Sequence, residues 1–437
     1  ADQVALLAAL DAGAIDEAPV EAVAPARLGR SYRLLLASAL ITNAGDGVAL
    51  AAGPLLIASL TRDPFQVSMA IFAQSLPALL FGIVSGGVAD RFDRRLIVSL
   101  VNAGRAFVLA VLAATVAARA VSIGLVLLSL FVLGTAEVFA NVSESSLLPR
   151  IVERRDLGIA NARLQGAFLL LNQLAGPPIG ALLFAIGMAL PFATDAACYA
   201  LGAVLITRVV YPRNALVDAD PDEAARRGFR HDLADGIRWL FHHPPMRTLL
   251  LTIVAFNVTF GAAWSVLVLY AQDRLGMSAV GYGLLTTAMA IGGMIGVTAY
   301  GRLERRFSLA DIMRAGLCIE TLTHLVLAVS TQSAVVLAMF VVFGAHAFIW
   351  GTTSTAVRQR AVPDELLGRV TGVYSVGIWL GIVVGTPIGG LLARQFGITA
   401  PFWFGFLGSA VLVGLLWREF DNIVHAGDTV EHGAMAG

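Results

Sequence analysis

Gly176-Pro177-Pro178-Ile179-Gly180-Ala181 returns 209 residues later as Gly385-Thr386-Pro387-Ile388-Gly389-Gly390. Downstream, Gly187 with Pro191-Phe192 is answered by Gly397 with Pro401-Phe402. Upstream, Arg91-Phe92-Asp93-Arg94-Arg95 is answered by Arg302-Leu303-Glu304-Arg305-Arg306, again at nearly the same offset. Three separate patterns at one spacing point to a unit present twice, in the same orientation. The markers punctuate apolar runs at about 34–60, 66–88, 96–118, 122–145, 164–187 and 190–211, then at about 248–271, 279–300, 309–330, 333–356, 371–393 and 399–418. Each run is long enough to cross a bilayer as a helix, which takes about 20 residues. The expected fold is therefore an all-α integral membrane protein, twelve transmembrane helices in two six-helix parallel repeats. Parallel repeats of this kind place a ligand site between the halves.

Composition agrees. Of 437 residues, 57% are hydrophobic and 14% charged, against about a quarter charged in soluble domains; mean hydropathy is +0.79. All 30 basic residues are arginine, so a Walker A phosphate loop and a Schiff-base lysine are excluded. Cys198 and Cys318 lie inside apolar runs and build neither a disulfide framework nor a Cys-rich metal site. A formal net charge of zero offers no overall basic footprint for nucleic acid.

Arginine placement sets the orientation, because basic loops stay cytoplasmic. Arg27, Arg30, Arg33, Arg91, Arg94, Arg95, Arg150, Arg154, Arg155, Arg163, Arg302, Arg305, Arg306, Arg358, Arg360, Arg369 and Arg418 fall on one side with the cluster from Arg208 to Arg247, and only Arg62, Arg119, Arg274 and Arg394 lie at or near loops on the other. Both termini are expected to be cytoplasmic. The domain order is a tail over 1–30, a first half over 31–211, a linker over 212–247, a second half over 248–419 and a tail over 420–437. Asp2, Asp11, Asp16, Glu17 and Glu21 give the first tail no positive secretory start. Within the linker, Leu233, Ile237, Leu240 and Phe241 recur at helical spacing. That is either an amphipathic helix on the membrane surface or a linker helix packed on the cytoplasmic ends.

Gly86-Gly87-Val88-Ala89-Asp90-Arg91-Phe92-Asp93-Arg94-Arg95 resembles the loop 2–3 signature of the major facilitator superfamily, with Asp93 in place of its usual glycine. Gly176, Pro177 and Gly180 resemble the antiporter motif of its drug exporters, though Asn172 and Ala181 replace two motif glycines. Gly45-Asp46-Gly47, Leu148-Pro149 and Asn161-Ala162-Arg163-Leu164 are similar to the twelve-span drug/proton antiporter group, which includes enterobactin, macrolide and tetracycline exporters. The match covers about 31–419. It implies that Gly86, Asp90, Arg91, Arg94 and Arg95 form a cytoplasmic gate. Asp90 would lie against the positive start of span 11 near Gly368 and Arg369. Arg302, Glu304 and Arg305 form the duplicate, where Gly301 leaves no anion at the position of Asp90.

Ionisable groups inside spans are costly and by default functional. Asp46 in span 1 and Glu137 in span 4 are candidate proton-coupling groups, with Glu320 and His324, an i, i+4 pair in span 9. Glu144 shares a face with Glu137 and Asn141, but its position near the cytoplasmic end favours pairing with Arg150 or the loop 2–3 arginines, a gating role. Asp195 in span 6 reads as a structural hydrogen-bonding group. Arg105 is the one clearly intramembrane cation and should neutralise one of these acids. Asn43, Asn141, Asn257, Phe260, Trp264, His346, Trp350 and Trp379 are candidate walls of a site for an amphipathic small molecule.

The reading is a secondary active transporter in the plasma membrane, exporting hydrophobic or amphipathic compounds, drugs or siderophore-like, by proton antiport and alternating access. Its partners are a small-molecule substrate, protons and lipid; no cofactor, metal or nucleic acid is implied, and a monomer is expected. The competing readings are a facilitator or importer of a lipid-like solute, a membrane enzyme using Glu320, His324 and His346, and a non-transporting receptor. No HExxH pair, GxSxG elbow or activated Cys supports the enzyme.

Overall fold

The computed structural model describes residues 28–91, 93–210 and 229–425, with side chains at 83–84, 86–91, 145–146 and 229–233 left aside. The described residues are helical throughout, with short turns between helices. In chain order these are α1 (Arg30–Leu60), α2 (Pro64–Arg91), α3 (Arg94–Ala117), α4 (Ile123–Ile151), α5 (Leu157–Ala167), a π segment (Phe168–Ala175), α6 (Gly176–Ile186) and α7 (Leu190–Thr207). Then come α8 (Phe229–His242), α9 (Pro244–Trp264), a π turn (Tyr270–Arg274), α10 (Ala279–Arg306), α11 (Leu309–Val329), α12 (Ser333–Ala361), α13 (Asp364–Phe396), α14 (Ala400–Leu416) and α15 (Glu419–Val424). Among the described residues, eleven stretches are long and apolar enough to cross a membrane, the run from 154 through α6 counting as one; α14 is shorter, with 17 residues. Apolar side chains such as Phe107, Ile186, Leu407 and Phe396 stay largely exposed on the outer faces, as a lipid solvent allows.

Local chemistry explains the boundaries. Asp93, in the place of the signature glycine, is the N-cap of α3, its carboxylate accepting from the backbone N–H of Arg95 (2.9 Å) and Leu96 (3.4 Å). Ser122, Ser278 and Ser308 cap α4, α10 and α11 in the same way. Gly397, at φ +94°, ends α13. Pro191 and Pro401 open α7 and α14, where a missing N–H costs nothing, and the adjacent Phe192 and Phe402 are buried.

Packing sorts the helices into two groups. In the first, α1 lies against α6 and α7, α3 against α4 and α7, and α2 against α4; in the second, α9 lies against α13 and α14, α10 against α12, and α11 against α12 and α14. The quoted glycines create the α1–α6 and α9–α13 seams. A Cβ on Gly176 or Gly180 would collide with backbone at Gly47 or Val48, and one on Gly385 or Gly389 with backbone at Val258 or Ala262. The two groups meet through α2 with α13 and α6 with α10.

The ends of the bundle differ. At the end bearing the α1–α2 turn, one apolar cluster takes in Leu55, Leu112 and Phe192 of the first group together with Val266, Leu285, Phe340 and Phe402 of the second. At the opposite end there are two separate clusters, one around Tyr32, Val98, Leu147 and Ile206, the other around Met246, Leu317, Val370 and Phe420. Among the described side chains, the groups are thus sealed together at one end and parted at the other. Polar contacts reinforce the seal: Arg62 reaches Gln272 (2.7 Å) and Asp273 (3.3 Å), and Arg394 lies 3.8 Å from Asp63.

The linker helix α8 packs on α13 through Leu240, Gly236 and an Asp235–Arg369 ion pair at 3.2 Å, while Ile237 and Phe241 stay exposed. Leu233 lies outside the described side chains.

Candidate functional site

In the first group, α1, α3, α4 and α7 bring ionisable side chains to one place. Arg105 on α3 donates to the hydroxyl of Tyr199 on α7 (2.5 Å), and that hydroxyl donates to Oδ1 of Asp46 on α1 (2.5 Å). Arg105 and Tyr199 are buried, and Asp46 keeps partial exposure. The guanidinium also lies over the Tyr199 ring, 4.9 Å from its centroid, a cation–π contact that helps hold it. The charges of Glu137 and Glu144 act on Arg105 as well. On α4, Glu137, Asn141 and Glu144 share a face by helical spacing; Glu137 and Asn141 are exposed and Glu144 partly so. Asp46 acts electrostatically on both acids, so this open face of α4 is turned toward Asp46 and Arg105. Arg105 thus has a partner in Asp46, through Tyr199.

Glu144 lies within reach of the Arg105 charge, and the Arg91 side chain of the loop expected to pair with it lies outside what the structure describes. One expectation is corrected here. Asp195, expected to make a structural hydrogen bond, instead has its Oδ1 buried without a partner, pressed against the α1 backbone where a Cβ on Gly45 would sit.

The second group holds a different arrangement. Glu320 Oε1 is 2.9 Å from His324 Nε2, and its Oε2 is 3.6 Å from His346 Nε2 on α12. All three side chains are buried, which makes them an internal triad. His346 therefore does not line an open wall, and neither does Trp350, 8% exposed beside it. Gly405 and Gly316 make room for the rings of His324 and His346. The aromatic surface of this group runs along α9 and α12. Phe256 and Phe260 stack, Phe260 stacks on Trp264, and Phe343 packs on both Phe260 and Trp264. Phe256, Phe260 and Trp264 are partly exposed. Trp379 on α13 stands outside this stack. Asn43 and Asn257, at corresponding places on α1 and α9, each donate to the carbonyl four residues back, Ala39 and Ile253, both at 2.7 Å.

At the parted end, the side chains of Gly86, Asp90 and Arg91 lie outside what the structure describes. Arg95 donates to Val209 O (3.1 Å) within its own group. Arg302 turns back to Thr298 O, and Glu304 pairs with Arg360 at 3.3 Å. Arg305 ends α10 beside Arg306, and Arg94 opens α3. Gly368 and Arg369 lie inside α13, whose first turn carries Asp364 and Glu365.

The sequence reading missed Tyr199, Phe256, Phe340 and Phe343. Tyr199 is legible in retrospect, four residues after Asp195 on the same face of α7. The contact of His346 with Glu320 crosses two helices and has no local signal.

Residues 20–421 match the family described as transmembrane secretion effector. The chain is similar to the multidrug efflux pump Tap of Mycolicibacterium fortuitum, 26% identical over 386 residues, covering 84% of this chain and 90% of that protein. It is also similar to the enterobactin exporter EntS of Shigella dysenteriae serotype 1, 24% identical over 394 residues, covering 88% and 90%. Among solved structures, a bacterial homologue of the iron transporter ferroportin in its inward-facing state superposes with a TM-score of 0.69 at 18% identity, covering 90% of this chain and 98% of that one. The outward-facing state of a bacterial ferroportin homologue, also 18% identical, gives 0.58, with 90% and 99% covered. The fold is shared with both.

Proposed function

The chain belongs to the transmembrane secretion effector family of the major facilitator superfamily, and from that premise we propose that it is a proton-driven exporter of hydrophobic or amphipathic small molecules, drugs or siderophore-like compounds. It is a multi-pass membrane transporter acting on small molecules. The proposal adds twelve spans, α14 included, in two parallel halves over 31–211 and 248–419, joined by 212–247. It also places both termini in the cytoplasm and the working monomer in the plasma membrane. On this topology the sealed end is extracellular, the parted end faces the cytoplasm, and the state described is inward-open.

The observation that carries the reading is the constellation on the first half. Asp46 stands partly exposed at one end of the Asp46–Tyr199–Arg105 chain, with Glu137 on the open face beside it. A carboxylate in that position trades its proton against Arg105: neutral, it releases the Tyr199 bond to an ionised acid; ionised, it re-forms it. Phe256, Phe260 and Trp264 give the second half an apolar wall suited to hydrophobic or amphipathic compounds. Asn43, Asn141 and Asn257 supply polar contacts near it. Glu320, His324 and His346, buried in the second half, form a further proton-holding triad that responds to movement of α11 against α12. In the outward-open state the loop carrying Gly86, Asp90, Arg91, Arg94 and Arg95, with Arg302, Glu304 and Arg305, closes the cytoplasmic end. The Gly176-Pro177 start of α6, beside a π segment and against α10, is the seam along which the halves turn. The names of Tap and EntS favour export over import of a lipid-like solute.

The test is reconstitution into liposomes with an imposed pH gradient and a panel of drugs and siderophores. Asp46→Asn is expected to abolish uphill transport and keep downhill exchange, because the amide preserves size and hydrogen bonding without carrying a proton. Undiminished uphill transport by that variant refutes proton coupling at Asp46.

A further inference from the structure

Asp195 is the buried acid that the constellation above leaves without a task. Its side chain is on α7, 2% exposed, and Oδ1 is enclosed with no hydrogen-bond donor. That oxygen abuts the α1 backbone at Gly45, the residue before Asp46, and nothing larger than glycine fits there. Four groups surround it. Asp46 faces it from α1 and Arg105 from α3, while Cys198 and Tyr199 follow it on its own helix. Arg105 donates to Tyr199, and the Tyr199 proton is given to Asp46. Oδ1 of Asp195 receives a hydrogen bond from neither.

An ionised carboxylate in such a place lacks the hydrogen bonds that a buried charge needs at Oδ1. The negative charge of Asp46 on the neighbouring helix adds to the penalty, and the positive charge of Arg105 offsets part of it. A carboxylic acid removes both difficulties, since neutral Asp195 carries no charge to compensate and leaves the single guanidinium to Asp46.

We propose that Asp195 is a proton-binding carboxyl, occupied by one proton in the inward-open state while Asp46 remains ionised in its chain to Arg105. The chemistry is the making and breaking of one O–H bond on a carboxyl oxygen, with the proton exchanged with water or a neighbouring acid and no other bond changed. The two acids sit on either side of the α1–α7 seam, so a shift of α1 against α7 alters the surroundings of both. This deepens the proton-coupled reading and rests on it for its role in transport. The occupancy itself is measured without transport.

Infrared absorption of the protein in lipid nanodiscs at neutral pH reads protonated carboxyls through a carbonyl stretch that shifts in heavy water. Asp195→Asn is expected to lose one component of that band, and Asp46→Asn to keep it. Thermal stability of Asp195→Asn should match the parent, because asparagine mimics the neutral acid. Should the variant fold poorly, labelling aspartate carboxyls with carbon-13 in the unmutated protein reads the same component, which must shift. A band unchanged in Asp195→Asn, or one with no aspartate contribution in the labelled protein, overturns the proposal. Loss of the band with undiminished uphill transport by Asp195→Asn leaves the proton on Asp195 and instead overturns its part in coupling. Failure of the coupled-exporter reading itself appears in the Asp46→Asn transport assay, a separate measurement.

Discussion

Replacing Arg105 by methionine removes the cation of the first-half constellation while keeping most of the apolar stem. The guanidinium is 7% exposed, bonds Tyr199 at 2.5 Å and through it serves Asp46. Removing one member of a buried charged network leaves the other uncompensated, which costs about 3–5 kcal/mol. The missing cation–π interaction with the Tyr199 ring accounts for about 0.5–2 kcal/mol of that. The Asp46→Asn change made on top should restore the electrostatic part but not the cation–π part. The double variant is therefore expected to sit about 0.5–2 kcal/mol below the parent, less destabilised than Arg105→Met alone, so that the two single costs do not add. Reversible unfolding in mixed micelles, run as a four-member cycle, measures it. If the two single-variant costs simply add, Arg105 serves Glu137 or Glu144 instead, and the chain through Tyr199 is not the operative one.

The outer seal should be weak individually. The Arg62 and Asp273 side chains are 61% and 51% exposed, so their pair is worth about 0.2–1 kcal/mol. Arg62→Ala is expected to raise outward-open occupancy by no more than about fivefold, read by paired spin-label distances across the α1–α2 and π-turn ends. A shift toward the inward-open state would refute the seal. Glu137→Gln should flatten the pH dependence of substrate binding without changing the fold, and an unchanged profile would leave Glu137 a structural group.

The first-half site was legible at the level of which residues are costly in a membrane. Asp46, Glu137 and Arg105 stand out because a charge in an apolar helix demands a partner. Their pairing was not legible, because it runs through Tyr199, an ordinary aromatic on another helix. His346 shows the same limit in reverse: a candidate wall residue by its place in the sequence, it is buried against Glu320 by the packing of α12 on α11.

What the sequence by itself determined is whatever is written locally or repeated. Apolar runs of spanning length set the helices. The glycines near 176 and 385 mark the seams where only a missing Cβ lets two backbones approach. Asp93 and the serine caps mark helix starts, and the duplicated patterns mark the two groups. Only the tertiary structure decided which end is sealed, which acid shares Arg105, and that Oδ1 of Asp195 has no donor. Each of these depends on the relative placement of helices far apart in sequence, set by the joint packing of many side chains, and no spacing along one chain encodes it.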